Sequence, residues 1–193
     1  MEKIILASGS PRRKQLLKIL DLEFDIIIPD VDESAYKAEG SPKQYCSLLA
    51  EMKGQSVSMK YPGHLVISSD TIVVLDKHII GKPKNLSHAK TMLRALSGRA
   101  HKVYTAVSMK LPAKNVDVSF TECTEVTFRD LRNGTIQYYL DHYPPLDKAG
   151  SYGIQDFSAV FVDSIIGCYH NVMGFPISRF YDEVKKSGLD IFH

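Results

Sequence analysis

Four polar residues, Ser68-Ser69-Asp70-Thr71, interrupt an apolar run that begins at Val66 and ends at Leu75, and no packing requirement explains them. A carboxylate in such a run is costly to leave unpaired, so Asp70 should face a metal, a basic partner or a water-filled cleft. The bland alternative is a β-bulge or strand end at which Asp70 caps local backbone. Further carboxylates stand in Val31-Asp32-Glu33-Ser34, after the apolar run Phe24 to Ile28, and at Asp147, which opens a glycine-punctuated loop. Asp32, Glu33, Asp70 and Asp147 would supply enough oxygen ligands for Mg²⁺ or Mn²⁺ if the fold brought them together.

The cationic counterpart is Ala7-Ser8-Gly9-Ser10-Pro11-Arg12-Arg13-Lys14. Ser10 reads as a helix N-cap and Pro11 as the first helical residue. Arginines in a first turn oppose the positive end of the helix dipole, at a cost of up to about 1 kcal/mol unless an anion is present. Free backbone N-H groups, two hydroxyls and two guanidiniums at one helix start suit a polyphosphate; the alternative is a capped helix with solvated arginines. The segment does not match the P-loop pattern. Lys53, Lys82 in Gly81-Lys82-Pro83 and Lys148 in Asp147-Lys148-Ala149-Gly150 are candidate phosphate clamps, although each lysine taken singly is by default a solvated surface residue. Gly150 and Gly153 would let backbone approach a ligand closely, or serve only as turn glycines.

Apolar periodicity supplies the elements that would position these groups. Strand, loop and helix follow one another over residues 3 to 20, and a second strand is expected over Phe24 to Ile28. A long helix is expected from about Pro42 to Lys60, and a strand over His64 to Leu75 that turns into a hairpin with His78 to Ile80. Leu86 to Ser97 reads as an amphipathic helix, and residues 101 to 111 and 116 to 129 as an antiparallel pair. A helix over Asn133 to His142, strands near Ala159 to Ile166 and Cys168 to Val172, and a closing helix from about Pro176 to Ser187 complete an α/β pattern of mixed strand direction.

Composition excludes several classes. The 193 residues allow one domain, spanning 1 to 193, and the 44% hydrophobic content is that of an ordinary globular protein. With 24 basic and 22 acidic side chains, the net charge of +2 gives no general field for nucleic acid or an anionic membrane. Cys46, Cys123 and Cys168 show no C-x-x-C pairing, and the seven histidines show no zinc-ligand spacing. Reduced thiols, no leader-like start and no apolar run of membrane-spanning length point to a cytoplasmic protein. There is no G-x-S-x-G nucleophile elbow.

These residues resemble the Maf, or septum-formation-inhibitor, family. The likeness runs in order through Ala7-Ser8-Gly9-Ser10-Pro11-Arg12-Arg13, Val31-Asp32-Glu33-Ser34, Lys53, Ser69-Asp70-Thr71, Gly81-Lys82-Pro83, Leu96-Ser97-Gly98-Arg99, Asp147 to Gln155, and Met173-Gly174-Phe175-Pro176. The resemblance implies a nucleoside triphosphate pyrophosphatase related in fold to the inosine triphosphate pyrophosphatases, with a mixed, elongated, twisted sheet, flanking helices and two lobes around a central cleft. By the same resemblance Asp70 would be the catalytic carboxylate and would join Glu33 at the metal, with Lys53 and Lys82 beside them. Ser8, Arg13, Lys53 and Lys82 would hold the triphosphate, with Asp147 and Lys148 in the substrate site. Arg12, Thr71 and Gln155 match the specificity positions of the branch acting on dTTP and UTP, where the 7-methyl-GTP branch carries Trp, Gln and Glu. The departure is Gly54, where the family usually has Ala and where Gly weakens a helix by ~1 kcal/mol. A homodimer is implied by resemblance alone. The rival from another class is a non-enzymatic, nucleotide- or protein-binding regulator of division.

Overall fold

The computed structural model describes residues 2–36 and 40–192. Seven strands, β1 (Ile4–Ala7), β2 (Asp25–Ile26), β3 (Leu65–Leu75), β4 (His78–Ile80), β5 (Ala100–Leu111), β6 (Val116–Phe128) and β7 (Val162–Ile166), form one sheet in the order β2-β1-β3-β5-β6-β7, with β4 paired to β3. β1 is parallel to both β2 and β3; the remaining pairs are antiparallel. Two crossovers serve the parallel part: α1 (Pro11–Lys18) lies between β1 and β2, and α2 (Pro42–Ser58) between β2 and β3. The other helices are α3 (Leu86–Leu96), α4 (Asn133–His142), α5 (Tyr169–Met173) and α6 (Ile177–Lys186).

β3 and β5 are long enough to serve two cores. On one face, Leu65 and Ile67 of β3 pack with Val107, Met109 and Leu111 of β5 beneath α1 and α6. Further along the same face, Val73 and Leu75 pack with Val103, α3 and α4 in a second cluster. Side chains alternate across a strand, so Ser69 and Thr71 fall between the two cores. The opposite face carries Val66, Ser68, Asp70, Ile72 and Val74 towards α2. The four polar residues therefore mark the junction of two apolar bodies, and β3 runs through them in unbroken register with β5, from Val66↔Lys110 to Val74↔Lys102. There is neither a bulge nor a strand end at Asp70.

The other edge of β3 is notched. β1 pairs it as far as Ala7↔Ser68, and β4 pairs it only from Val73 onward. Over Ser69 to Ile72 no strand covers that edge among the described residues. The chain leaves the notch on one side as the Ser8 to Arg13 turn and on the other as Gly81-Lys82.

Three expected elements differ. The Phe24 to Ile28 strand shrinks to Asp25–Ile26, an exposed edge strand. Residues Phe157–Phe161 are a 3₁₀ turn, and the strand expected from Ala159 starts at Val162. Cys168 to Val172, expected as a strand, is mostly helix α5, because Gly174 at φ 108° closes a Schellman motif: its N-H bonds to the Asn171 carbonyl and that of Phe175 to the His170 carbonyl, each at 3.0 Å.

Candidate functional site

α2 faces the sheet with Cys46, Ala50, Lys53, Gly54 and Val57, all buried. Lys53 occupies what periodicity reserves for an apolar side chain. Its ammonium lies 2.5 Å from Asp70 Oδ1 and 2.8 Å from Glu33 Oε1. Glu33 arrives from the 3₁₀ turn Glu33–Ala35, which the Asp32 carbonyl starts by accepting the Ala35 N-H. Two carboxylates thus converge on one cation at the notch. Burial pushes the Glu33 carboxyl up, but the bond and charge of Lys53, with the charges of Lys82 and Arg13, outweigh it and hold the group below its ordinary value.

Gly54 has a packing reason. A Cβ there would stand 2.7 Å from Ser68 Oγ and 3.3 Å from Ser108 Oγ, and Ser68 Oγ in turn donates to the Ala50 carbonyl at 2.7 Å. The glycine brings α2 close enough for Lys53 to reach Asp70; the helix propensity it forgoes is offset by that approach.

Across the strand, Ser10 caps α1 with its hydroxyl accepting from the Arg13 N-H, and no acidic residue occupies the first turn. Arg13 donates through Nε to the Gly174 carbonyl at 3.0 Å, through Nη2 to Thr71 Oγ1 at 3.0 Å and through Nη1 to the buried Ser8 hydroxyl at 3.4 Å. Arg12 donates to Asp147 at 3.0 Å. Burial raises the Asp147 carboxyl, but the Arg12 bond and the Lys148 charge prevail and hold it below its ordinary value.

A cleft of about 390 Å³ gathers Arg12, Arg13, Glu33, Lys53, Asp70, Thr71, Lys82, Asp147, Lys148 and Gln155. Its lining also includes the apolar side chains of Ile79, Val103 and Met173 and the ring of Tyr152. A second hollow of about 300 Å³ shares Arg12, Arg13, Glu33, Lys53, Lys82 and Asp147, and adds Ser8 and the rest of the Ala7 to Pro11 turn. The wall of the larger hollow carries five cations (Arg12, Arg13, Lys53, Lys82, Lys148) against three carboxylates (Glu33, Asp70, Asp147), an excess that suits an anionic ligand.

The sequence-predicted residues therefore meet, with differences in kind. Lys53 is buried, where a lone lysine would be solvated. Lys82 is exposed and has no ion-pair partner among the described residues, and Gln155 is exposed at the rim. Lys148 lines the cleft, but its ammonium binds the Pro144 carbonyl, Asp147 at 3.3 Å and Asp156 at 3.5 Å, tying its own loop together. Gly153 makes room for that lysine, since a Cβ there would come within 2.8 Å of Lys148 Cε. Among the described residues no three His, Cys, Asp or Glu side chains gather as a metal cage.

Comparison with known proteins agrees with this geometry. The model of the family described as Maf-like protein matches residues 3–187. The chain belongs to the Maf-like protein family. Two relatives named dTTP/UTP pyrophosphatase, from Bacillus anthracis (strain CDC 684 / NRRL 3495) and Bacillus cereus (strain ZK / E33L), are each 46% identical to this Maf-like chain over 193 residues, covering all of both sequences. A solved Vibrio cholerae protein aligns with 96% of this chain, and 98% of its own length, at 12% identity and a TM-score of 0.40. Two residues that bear on the site, Thr105 and Asn171, escaped sequence reasoning. Thr105 sits in an ordinary β-run, and the one signal for Asn171 was an amide just before the helix-ending Met173-Gly174-Phe175-Pro176.

Proposed function

We propose that this Maf-like protein hydrolyses dTTP and UTP to the monophosphate and pyrophosphate. The observation that carries the reading is the convergence of Glu33 and Asp70 on the Lys53 ammonium inside a cleft lined by further cations and by apolar side chains. The names of the full-length relatives support the choice of nucleotide. In this reading the apolar part of the lining takes the base, with Gln155 and Arg12 beside it, while the Ser8 hydroxyl helps to hold the triphosphate and Arg13 and Lys82 neutralise it. One Asp70 oxygen is bonded to Lys53, and the other makes no hydrogen bond to the described residues, which leaves it to accept a proton from the attacking water.

Glu33 and Asp70, two carboxylates that Lys53 brings together at one cleft, suit a divalent cation beside that lysine, with phosphate oxygens and water completing its shell as Mg²⁺ or Mn²⁺ requires. Glu33 and Asp70 would hold it, and when bound it would polarise the phosphate and offset the charge that attack builds up. The net charge of +2 supports free nucleotides over nucleic acid as the target. No helix among the described residues is long and apolar enough to cross a membrane, and all three cysteines are free, which supports a cytoplasmic enzyme.

The test is Asp70→Asn incubated with dTTP or UTP and Mg²⁺ or Mn²⁺. Pyrophosphate release should fall by at least about 10²-fold, the usual scale for a lost general base, with the far-ultraviolet circular dichroism of the folded protein retained. Near-normal release would remove Asp70 from the role. Binding of nucleotide by the unaltered protein with no pyrophosphate formed would favour the non-enzymatic regulator instead.

A further inference from the structure

The guanidinium of Arg13 is held by a line of hydroxyls that ends outside the cleft. Nη2 donates to Thr71 Oγ1 at 3.0 Å, Thr71 Oγ1 lies 3.0 Å from Thr105 Oγ1, and Thr105 Oγ1 donates to the Asn171 carbonyl at 2.8 Å. Thr71 and Thr105 are directly opposed across β3 and β5, so the pair follows from strand register. A hydroxyl carries one proton, and a carbonyl only accepts. Thr105 spends its proton on Asn171, so in the Thr71 pair it must accept and Thr71 must donate. Thr71 is left with lone pairs alone for Arg13 and for the cleft.

Asn171 is fully buried, and its Nδ2 donates to the Val103 carbonyl at 3.0 Å and to Thr124 Oγ1 at 2.9 Å. Its Oδ1 has no partner among the described residues. An unpartnered buried acceptor is costly, and one that persists asks for a reason. What the two Nδ2 bonds of Asn171 hold in place lies three residues on. α5 ends at Gly174, whose carbonyl accepts from Arg13 Nε at 3.0 Å and from Ser69 Oγ at 3.2 Å. Both the Thr71 hydroxyl and the Gly174 carbonyl, the two close acceptors of the Arg13 fork, are therefore anchored through α5, and Asn171 pins α5 to β5 and β6.

We propose that Thr105 and Asn171 are positioning residues for anion binding: they keep the Thr71 hydroxyl an acceptor and hold the Arg13 guanidinium in one orientation for a phosphate group. Neither lines the cleft. The inference rests on reading the cleft as a polyphosphate site, and its test is kept apart from turnover.

Inorganic tripolyphosphate is titrated calorimetrically into the full chain and its variants. Thr105→Val, nearly isosteric, should weaken binding about tenfold, the scale of one hydrogen bond to a charged group. Thr105→Ser, which restores the hydroxyl, should stay within about twofold of the parent. Because Thr105 acts through Arg13, adding Thr105→Val to Arg13→Gln should change affinity by less than about twofold, whereas independent effects would multiply. Should the valine variant not fold, Thr105→Ala carries the same comparison. The proposal is overturned if Thr105→Ser is as impaired as Thr105→Val, if the two substitutions multiply, or if the parent does not bind tripolyphosphate. Coupled tripolyphosphate binding without turnover of dTTP or UTP would sink the proposed activity and leave the relay standing; turnover without coupling would do the reverse.

Discussion

Replacing Lys53 by Met keeps an unbranched side chain of nearly the same length in the α2 stripe and removes the cation from between two carboxylates. At an effective dielectric of ~20, charges separated as Lys53 is from Asp70 and from Glu33, by 2.5 and 2.8 Å, attract by ~6 kcal/mol per pair. Most of that is offset by the cost of desolvating the ammonium, and removing one partner of a buried pair costs ~3–5 kcal/mol net. The Asp70 side chain is 10% exposed and that of Glu33 44%, so Glu33 can turn to water and the lower end, ~3 kcal/mol, applies. The loss should depend on pH. The folded-state value of Glu33 is depressed, chiefly by Lys53 working against burial, so its pairing stabilises the protein above the unfolded value and is lost as pH falls through the folded one. In the variant the two carboxylates face each other without a cation, so protonation relieves the folded state, and the deficit should shrink below about pH 5. Added Mn²⁺ should recover part of it at neutral pH by taking the place of the ammonium. The assay is urea unfolding followed by far-ultraviolet circular dichroism, since the chain has no tryptophan, at about pH 8 and about pH 4.5 with and without metal. A deficit below ~1 kcal/mol at the higher pH, or one equal at both, would refute the reasoning.

Two further perturbations read the scaffold. His101 is buried against Tyr152, whose hydroxyl lies 2.7 Å from Nε2, and burial lowers its pKa to about 4. The unfolded chain takes up a proton that the folded one refuses between about pH 6.5 and 4, so the parent should lose ~3 kcal/mol over that range that His101→Gln does not lose; parallel pH profiles would contradict this. Gly54→Ala should destabilise by ~1 kcal/mol, as overpacking against Ser68 outweighs the better helix propensity, and Ser68→Ala should rescue it. Additive unfolding free energies would show that the two residues do not compete for the same space.

The amino-acid order by itself determined most of the elements and the anomaly that matters. Period-two runs placed β3, β5 and β6, the Ser10-Pro11 signature placed the start of α1, and polar Ser68 to Thr71 inside an apolar strand announced a site, because local propensity and solvation act within a few residues. Short elements were misread where tertiary contacts outweigh propensity, as at α5, whose helical turn is held by the Asn171 bonds and the Gly174 cap. Only the folded chain decided that Lys53 is buried and doubly paired. A lysine's environment depends on which face of α2 meets the sheet and how closely, and Gly54 and Ser68, distant in sequence, settle that. The same holds for the notch beside Asp70 and for the line from Arg13 to Asn171. Both follow from where β1 and β4 stop along β3 and from the β3 to β5 register, pairings between segments far apart in the chain that no local pattern encodes.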